Sequence, residues 1–297
     1  MKKIPIGHSD FKRIRSTPEL LYVDKTDLIS EFVEDPCMVL LITRPRRFGK
    51  TLNLSTLRYF FDRENAEENR RLFDGLRVSE NEKAMALQGT RPVIYLSFKD
   101  CKERSFREQC IKIRHALSQM ALQIPNGPES SLQPVEWELI RGVQNMTLEP
   151  TELSNSLYII SKYYQNTFKV NPLILIDEFD VPLQSAWGEG YWDEAITFFR
   201  NFFSSSFKDN PYLWRGVITG CLRVARESMF TGMNNLEVSS ISSNHYSRHF
   251  GFTVPEVKQL IEDYNLSAIE TKIESWYNGY MFGETTLYNP WSILNLL

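Results

Sequence analysis

With 297 residues, of which 42% are hydrophobic and 24% charged, the chain has the composition of a soluble globular protein. It is long enough for one large α/β domain and a smaller one. A net charge of −3 gives no global positive field to advertise nucleic acid, although local basic clusters could still contact it. The four cysteines form no C-x-x-C pair, so reduced thiols are expected. The N-terminal "MKKIPIGHSDFKRIRS" has no apolar signal region, and no apolar run approaches the roughly 18 residues of a membrane span. The expectation is a soluble, cytoplasmic protein.

Near the N-terminus "YVDKTDLISEFVEDP" predicts a helix capped by Asp24, with Asp27 in its first turn, closing at Pro36. Residues 38–43 read as a strand buried on both faces. Thr51 to Phe61 follows as a helix with Leu54, Leu57 and Phe61 on one face. "RPVIYLSF" is a second strand, and residues 104–123 form a helix with Phe106, Cys110, Ile113, Leu117 and Met120 on one stripe. "IPNGPESSLQP" is a loop. A helix from Glu152 to Phe168 leads into "LILIDEFD", the most apolar strand; "WDEAITFFRNFFSSSF" is a helix and "PYLWRGVITG" a fourth strand. This alternation predicts a parallel sheet flanked by helices, with ligands beyond the carboxyl ends of its strands. Residues 44–51, 177–180 and 219–223 all lie at such ends.

The phosphate-loop pattern G-x-x-x-x-G-K-[ST] is met here by Arg44-Pro45-Arg46-Arg47-Phe48-Gly49-Lys50-Thr51, with Arg44 in place of the first glycine. Such a loop needs inward N–H groups, a lysine for the β/γ-phosphates and a hydroxyl for Mg²⁺. Gly-Lys-Thr alone also arises by chance. The strand before, the helix after and the downstream Asp177-Glu178 at a strand tip favour nucleotide binding. Arg46 and Arg47 could neutralise phosphate charge, or be a solvated loop.

The runs "TRPRRFGKTLNLSTLRYFF", "LILIDEFDVPL", "GVITGCLRVARESMFTGMNNL", "HFGFTVPEV" and "WYNGYMFGETTLYNPWSILNLL" together resemble the bacterial predicted AAA-ATPase-like family. So does "IGHSDFKRIRSTPELLYVDKT". The resemblance implies a P-loop NTPase core of the additional-strand, catalytic-glutamate (ASCE) type over residues 1–235, with a helical lid in 236–297. Arg44 in the first glycine's place is similar to the family's own loop. The resemblance implies ATP and Mg²⁺ as cofactors. Arg46, Arg47, Phe48, Gly49, Lys50, Thr51 and Leu52 would contact the nucleotide; Lys50 would bind the β/γ-phosphates and Thr51 would ligate Mg²⁺. Asp177 would be the acid that holds Mg²⁺ through water, Glu178 the general base and Thr219 a polar sensor. Arg223 or Arg226 could reach the γ-phosphate, and Tyr22, Asp24 and Lys25 stand where related ATPases build the adenine pocket.

"HFGFTVPEVKQLIEDYN" predicts a helix with Thr253 and Glu256 in a capping box, and the segment from Ser275 onward suggests further small helices. Its aromatics, Trp276, Tyr277, Tyr280, Phe282, Tyr288 and Trp291, either pack a small domain or present a stacking surface. Relatives often continue into a PD-(D/E)xK-type nuclease domain; this sequence ends directly after "YNPWSILN", and no nuclease role is read into Asp180 or Glu189. The expected partners are a nucleotide and a protein partner or effector domain, with oligomers possible. Lys2, Lys3, Lys12, Arg13 and Arg15 could touch nucleic acid or be a solvated face. An ATPase that drives a conformational change and a nucleotide-holding switch without turnover both fit.

Overall fold

The computed structural model describes residues 1–125, 127–128, 131–221, 229–230, 232–267, 277 and 279–297. The chain divides into two compact units. A sheet unit comprises residues 37–41 and 91–238, and a loop unit comprises residues 1–36, 42–90 and 239–297.

The sheet unit is an α/β layer built on five strands. These are β1 (Val39–Thr43), whose last two residues pass into the loop unit, β2 (Val93–Ser97), β3 (Leu173–Asp177), β4 (Arg215–Gly220) and β5 (Leu236–Ser239). Their order is β2-β3-β4-β1-β5, with β2–β3 and β3–β4 paired parallel. Near the start of β1, Gly216 N–H donates to the Met38 carbonyl and Val39 N–H to that of Asn235, joining strand start to strand start as a parallel sheet requires. Every residue of β1, β3 and β4 is buried, as expected for strands covered on both faces, whereas the edge strand β2 alternates.

The helices Phe106–Ala121, Ser156–Phe168 and Trp192–Phe207 lie where the sequence predicts them, within a residue or two except at the start of the second. They contribute Ile113, Leu117, Leu157, Ile160, Phe199 and Phe203 to one core with the strands. Two longer helices escape the sequence reading, beside short ones such as Phe11–Arg15 and Ala66–Arg70. Pro134–Asn145 opens with proline and closes a capping box on Glu136 inside a stretch dominated by loop residues; Val181–Glu189 follows directly on the acidic strand. Gly216, inside β4, sits so close to the Phe207 ring that a Cβ there would lie 2.4 Å from it.

In the loop unit, helix Asp27–Glu34 ends before Pro36 as expected. Its N-cap, however, is Thr26, and Asp24 instead accepts from the Thr26 N–H and hydroxyl. Helix Lys50–Phe61 buries Leu54, Leu57, Phe60 and Phe61. Helix Val254–Asp263 carries the predicted capping box between Thr253 and Glu256.

Residues 280–288 correct the sequence reading, which expects small helices there. They form a hairpin of β7 (Tyr280–Phe282) and β8 (Thr285–Tyr288), joined antiparallel to β6 (Phe252–Thr253) in the order β6-β8-β7. The physical reason is local. The aromatics Tyr280 and Phe282 on one side and the β-branched Thr285 and Thr286 on the other flank the two-residue turn Gly283-Glu284, where Gly283 has φ +53° and a Cβ would meet Asn244 Oδ1 at 2.1 Å. Helix Pro290–Leu296 follows. Among the described residues no helix is long and apolar enough to cross a membrane.

Candidate functional site

In the loop unit, β1 delivers the chain into Arg44–Thr51, and helix Lys50–Phe61 begins at its end. Gly49 is the N-cap at φ +82°, where a Cβ would meet open space; glycine is required by backbone conformation and not by crowding. Lys50 is buried, and its Nζ donates to the carbonyls of Arg44 (2.9 Å) and Pro45 (2.8 Å), drawing the two ends of the loop together. Thr51 and Leu52 are half-buried in the first turn.

Arg44 does not behave as a surface residue of a basic loop. It is fully buried, donating to the Thr43 carbonyl (3.0 Å), the Ser239 carbonyl (2.8 Å) and Ser239 Oγ (2.9 Å). The Phe250 and Phe282 rings lie 5.4 and 5.2 Å from its guanidinium carbon. Burial pulls the guanidinium down to about 10.

The rest of the loop is held by the same C-terminal segment. Phe48 is fully buried against Tyr280 and Phe282, at ring-centroid distances of 5.0 and 5.1 Å, with Leu287 in the same cluster. Arg47, at φ +69°, lays its guanidinium 4.0 Å from the Trp291 ring centroid. The Asn289 amide reaches the Arg46 carbonyl at 3.5 Å, and Asn53 on the following helix donates to the His249 carbonyl at 2.8 Å. Sequence reasoning overlooks Ser239, Phe282, Asn289 and Trp291 as loop contacts. No motif spacing links them to residues 44–53.

The other expected residues of the loop unit are engaged internally. Tyr22 packs edge-on against Phe11 (5.4 Å), and burial raises its hydroxyl pKa. Lys25 pairs with Glu256 at 2.5 Å and donates to the Arg248 carbonyl, while desolvation lowers its own pKa. Of the basic N-terminal residues, Lys3 pairs with Glu19, Lys12 with Glu68, and Arg15 donates to the carbonyls of Leu72 and Asp74. Lys2 and Arg13 are exposed, and the Lys3–Glu19 pair lies at the surface.

In the sheet unit, Asp177 closes β3 and is buried. Its Oδ1 accepts from Thr219 Oγ1 at 2.6 Å and from the Glu178 N–H at 3.0 Å. Thr219, fully buried near the end of β4, therefore holds Asp177. Glu178 is half-buried with φ +53°, a left-handed conformation that costs a non-glycine residue of the order of 1–2 kcal/mol. Asp180, also buried, accepts from Cys221 N–H (3.0 Å) and Gln184 Nε2 (2.6 Å), tying the exit of β4 to the start of helix Val181–Glu189. Glu189 is exposed at that helix's end. Arg223 and Arg226, and likewise Ser275 and Trp276, lie outside the described residues.

A Gly-Lys-Thr loop opening a helix at the exit of a parallel strand, and a buried aspartate at the tip of another strand of the sheet, are compatible with a P-loop NTPase-like domain. The chain belongs to the AAA-ATPase-like family, described as predicted AAA-ATPases, whose model matches residues 5–230. That membership points to nucleotide-binding, ATPase-like function. A relative from Azotobacter chroococcum mcd 1, described as "Uncharacterized protein in vnfD 5'region", is 28% identical over 298 residues, covering 99% of this chain and 52% of its own length. The chain thus spans about half the length of that relative. No solved structure matches it.

Proposed function

We propose that this chain binds ATP with Mg²⁺ through residues 44–51 and hydrolyses it, acting as an ATPase module that drives or gates a partner or effector domain. The observation that carries the reading is the loop itself: Gly49 in the left-handed conformation, Lys50 directed back over the loop, and a helix starting at that point. Strand order supports assignment to the ASCE type, because β4 intervenes between the loop strand β1 and the acidic strand β3.

The Thr51 hydroxyl and the Asp177 carboxylate are hard oxygen donors of the kind Mg²⁺ takes, and they are the residues that would hold it; the bound ion would offset charge on the phosphate oxygens. Lys50 exchanges its carbonyl partners for the β/γ-phosphates and offsets the charge that develops there. Arg46, Arg47, Phe48, Gly49 and Leu52 shape the loop around the phosphates. Glu178 orients a water and accepts its proton, as the water oxygen bonds to the γ-phosphorus and the bond to the ADP oxygen breaks. Thr219 keeps the Asp177 carboxylate fixed. One observation favours a second reading, a nucleotide-holding switch with negligible turnover: the Thr219 hydroxyl is directed to Asp177 and not to Glu178.

Phosphate release from ATP and Mg²⁺, measured beside nucleotide binding on wild type, Glu178→Gln and Lys50→Ala, tests this. The expected result is turnover by wild type, binding without turnover by Glu178→Gln, and loss of tight binding by Lys50→Ala. Binding without wild-type turnover selects the switch. Absence of binding overturns both readings.

A further inference from the structure

A phosphate loop with glycine at its first position turns out of the strand by backbone freedom alone. Here an arginine and a proline occupy the first two positions, so the turn must be fixed in another way. Four side-chain contacts supply it, and all run to residues 239–291. Arg44 is anchored on Ser239 and under the Phe282 ring, Phe48 is inserted beside Tyr280 and Phe282, Arg47 lies on Trp291, and Asn289 reaches the Arg46 carbonyl. The arrangement extends to Lys50, because its Nζ is bonded to the carbonyls of Arg44 and Pro45. Whatever holds the Arg44 side chain also sets where that lysine starts from.

We propose that the hairpin Tyr280–Tyr288 and the following Asn289–Trp291 are the positioning clamp of the phosphate loop, so that nucleotide affinity is set in part by residues that do not touch the nucleotide. This rests on the reading of residues 44–51 as a nucleotide site. Linkage is reciprocal: if the clamp stabilises the binding conformation of the loop, a bound nucleotide stabilises the clamp by the same factor. Trp291 is the best single probe, since it is 44% exposed, contacts the loop only through Arg47 among the contacts described, and has no place in the core.

The test uses the full chain, with ATP and Mg²⁺ as the probe. Equilibrium binding is measured on wild type, Trp291→Ala, Trp291→Phe and Phe282→Leu, and amide hydrogen exchange over residues 280–288 is followed with and without saturating ATP. Trp291→Ala is expected to weaken ATP roughly threefold, the size of an exposed cation–π contact, with Trp291→Phe restoring most of it. Phe282→Leu, which keeps an apolar group at a buried position, is expected to weaken it by about two- to tenfold, the range of a lost aromatic pair. ATP is expected to slow exchange at 280–288 in wild type and not in Lys50→Ala, a nucleotide-dependent response that a merely structural contact would not give. Unchanged affinity in Trp291→Ala and Phe282→Leu, together with unchanged exchange in wild type that does bind ATP, overturns the clamp while leaving the nucleotide site standing. Failure of wild type to bind ATP overturns both.

Discussion

Replacing Arg44 by glycine would restore the common phosphate-loop pattern, and by sequence logic it ought to be harmless or beneficial. The structure predicts the opposite. Burial pulls the guanidinium down to about 10, a cost to the charged form of about 3 kcal/mol at 1.36 kcal/mol per pH unit. Three hydrogen bonds from this charged donor stand against it, at roughly 1.5–3 kcal/mol each. Glycine relieves the first quantity and forfeits the second, leaves the Ser239 carbonyl without this donor, and adds about 1 kcal/mol of backbone entropy to the unfolded chain. The net expectation is a loss of about 3–4 kcal/mol. Arg44→Met keeps much of the volume without the charge, and should lose less, about 2 kcal/mol. Urea denaturation of both variants, read with nucleotide binding, measures this. An Arg44→Gly protein as stable as wild type would refute the reasoning, because the buried side chain would then be a tolerated passenger.

Other positions give independent tests. Glu256→Gln breaks the ion pair with Lys25, two side chains only 15% and 10% exposed; it should cost about 3 kcal/mol in denaturation, while an amide oxygen there still accepts from the Thr253 N–H. Burial raises the Asp62 carboxyl to about 6, above its unfolded value near 4, so the folded chain holds that proton more tightly. Its contribution to stability therefore grows as pH falls from about 6 towards 4, and at neutral pH the charged form is a penalty. Asp62→Asn should raise stability at pH 7.5 by roughly 1 kcal/mol after screening, with the gain gone near pH 4, as thermal melts at the two pH values will show. Gly49→Ala and Gly216→Ala should fail differently. The first meets no neighbour but strains φ, so it should weaken ATP binding with a stability loss of only about 1 kcal/mol. The second drives a methyl into Phe207 and should cost about 2 kcal/mol or more in stability. Thr219→Val, nearly isosteric, should fold, and should slow phosphate release by roughly tenfold by loosening Asp177.

The parallel strands β1, β3 and β4 were legible because full burial makes them uninterrupted apolar runs, and the loop because its chemistry is compressed into adjacent residues. The Asp177-Glu178 pair was legible for the same reason, being a local change from apolar to acidic at a strand tip. Residues 280–288 misled because "YMFGETTLY" is too short for periodicity to separate a helix from a hairpin, and the decisive signal was the turn pair Gly283-Glu284 with two threonines after it. Helix Pro134–Asn145 was hidden by the Pro- and Ser-rich run before it, although Pro134 and Glu136 form its start signal. Arg44 shows the deeper limit. A sequence reader places arginine outside, and only the tertiary fold supplies Ser239, about two hundred residues later, to take it in.

The segmentation of the loop unit also bears on how the protein is born. Residues 42–90 leave the ribosome well before the stretch that holds Ser239, Phe282, Asn289 and Trp291. Until that stretch emerges, Arg44 and Phe48 have no place to be buried, whereas the strands β2, β3 and β4 and the helices between them can already pair. A nascent chain would thus carry a formed sheet and an unfinished phosphate loop, and competence for nucleotide would arrive only once residues 239–291 had emerged.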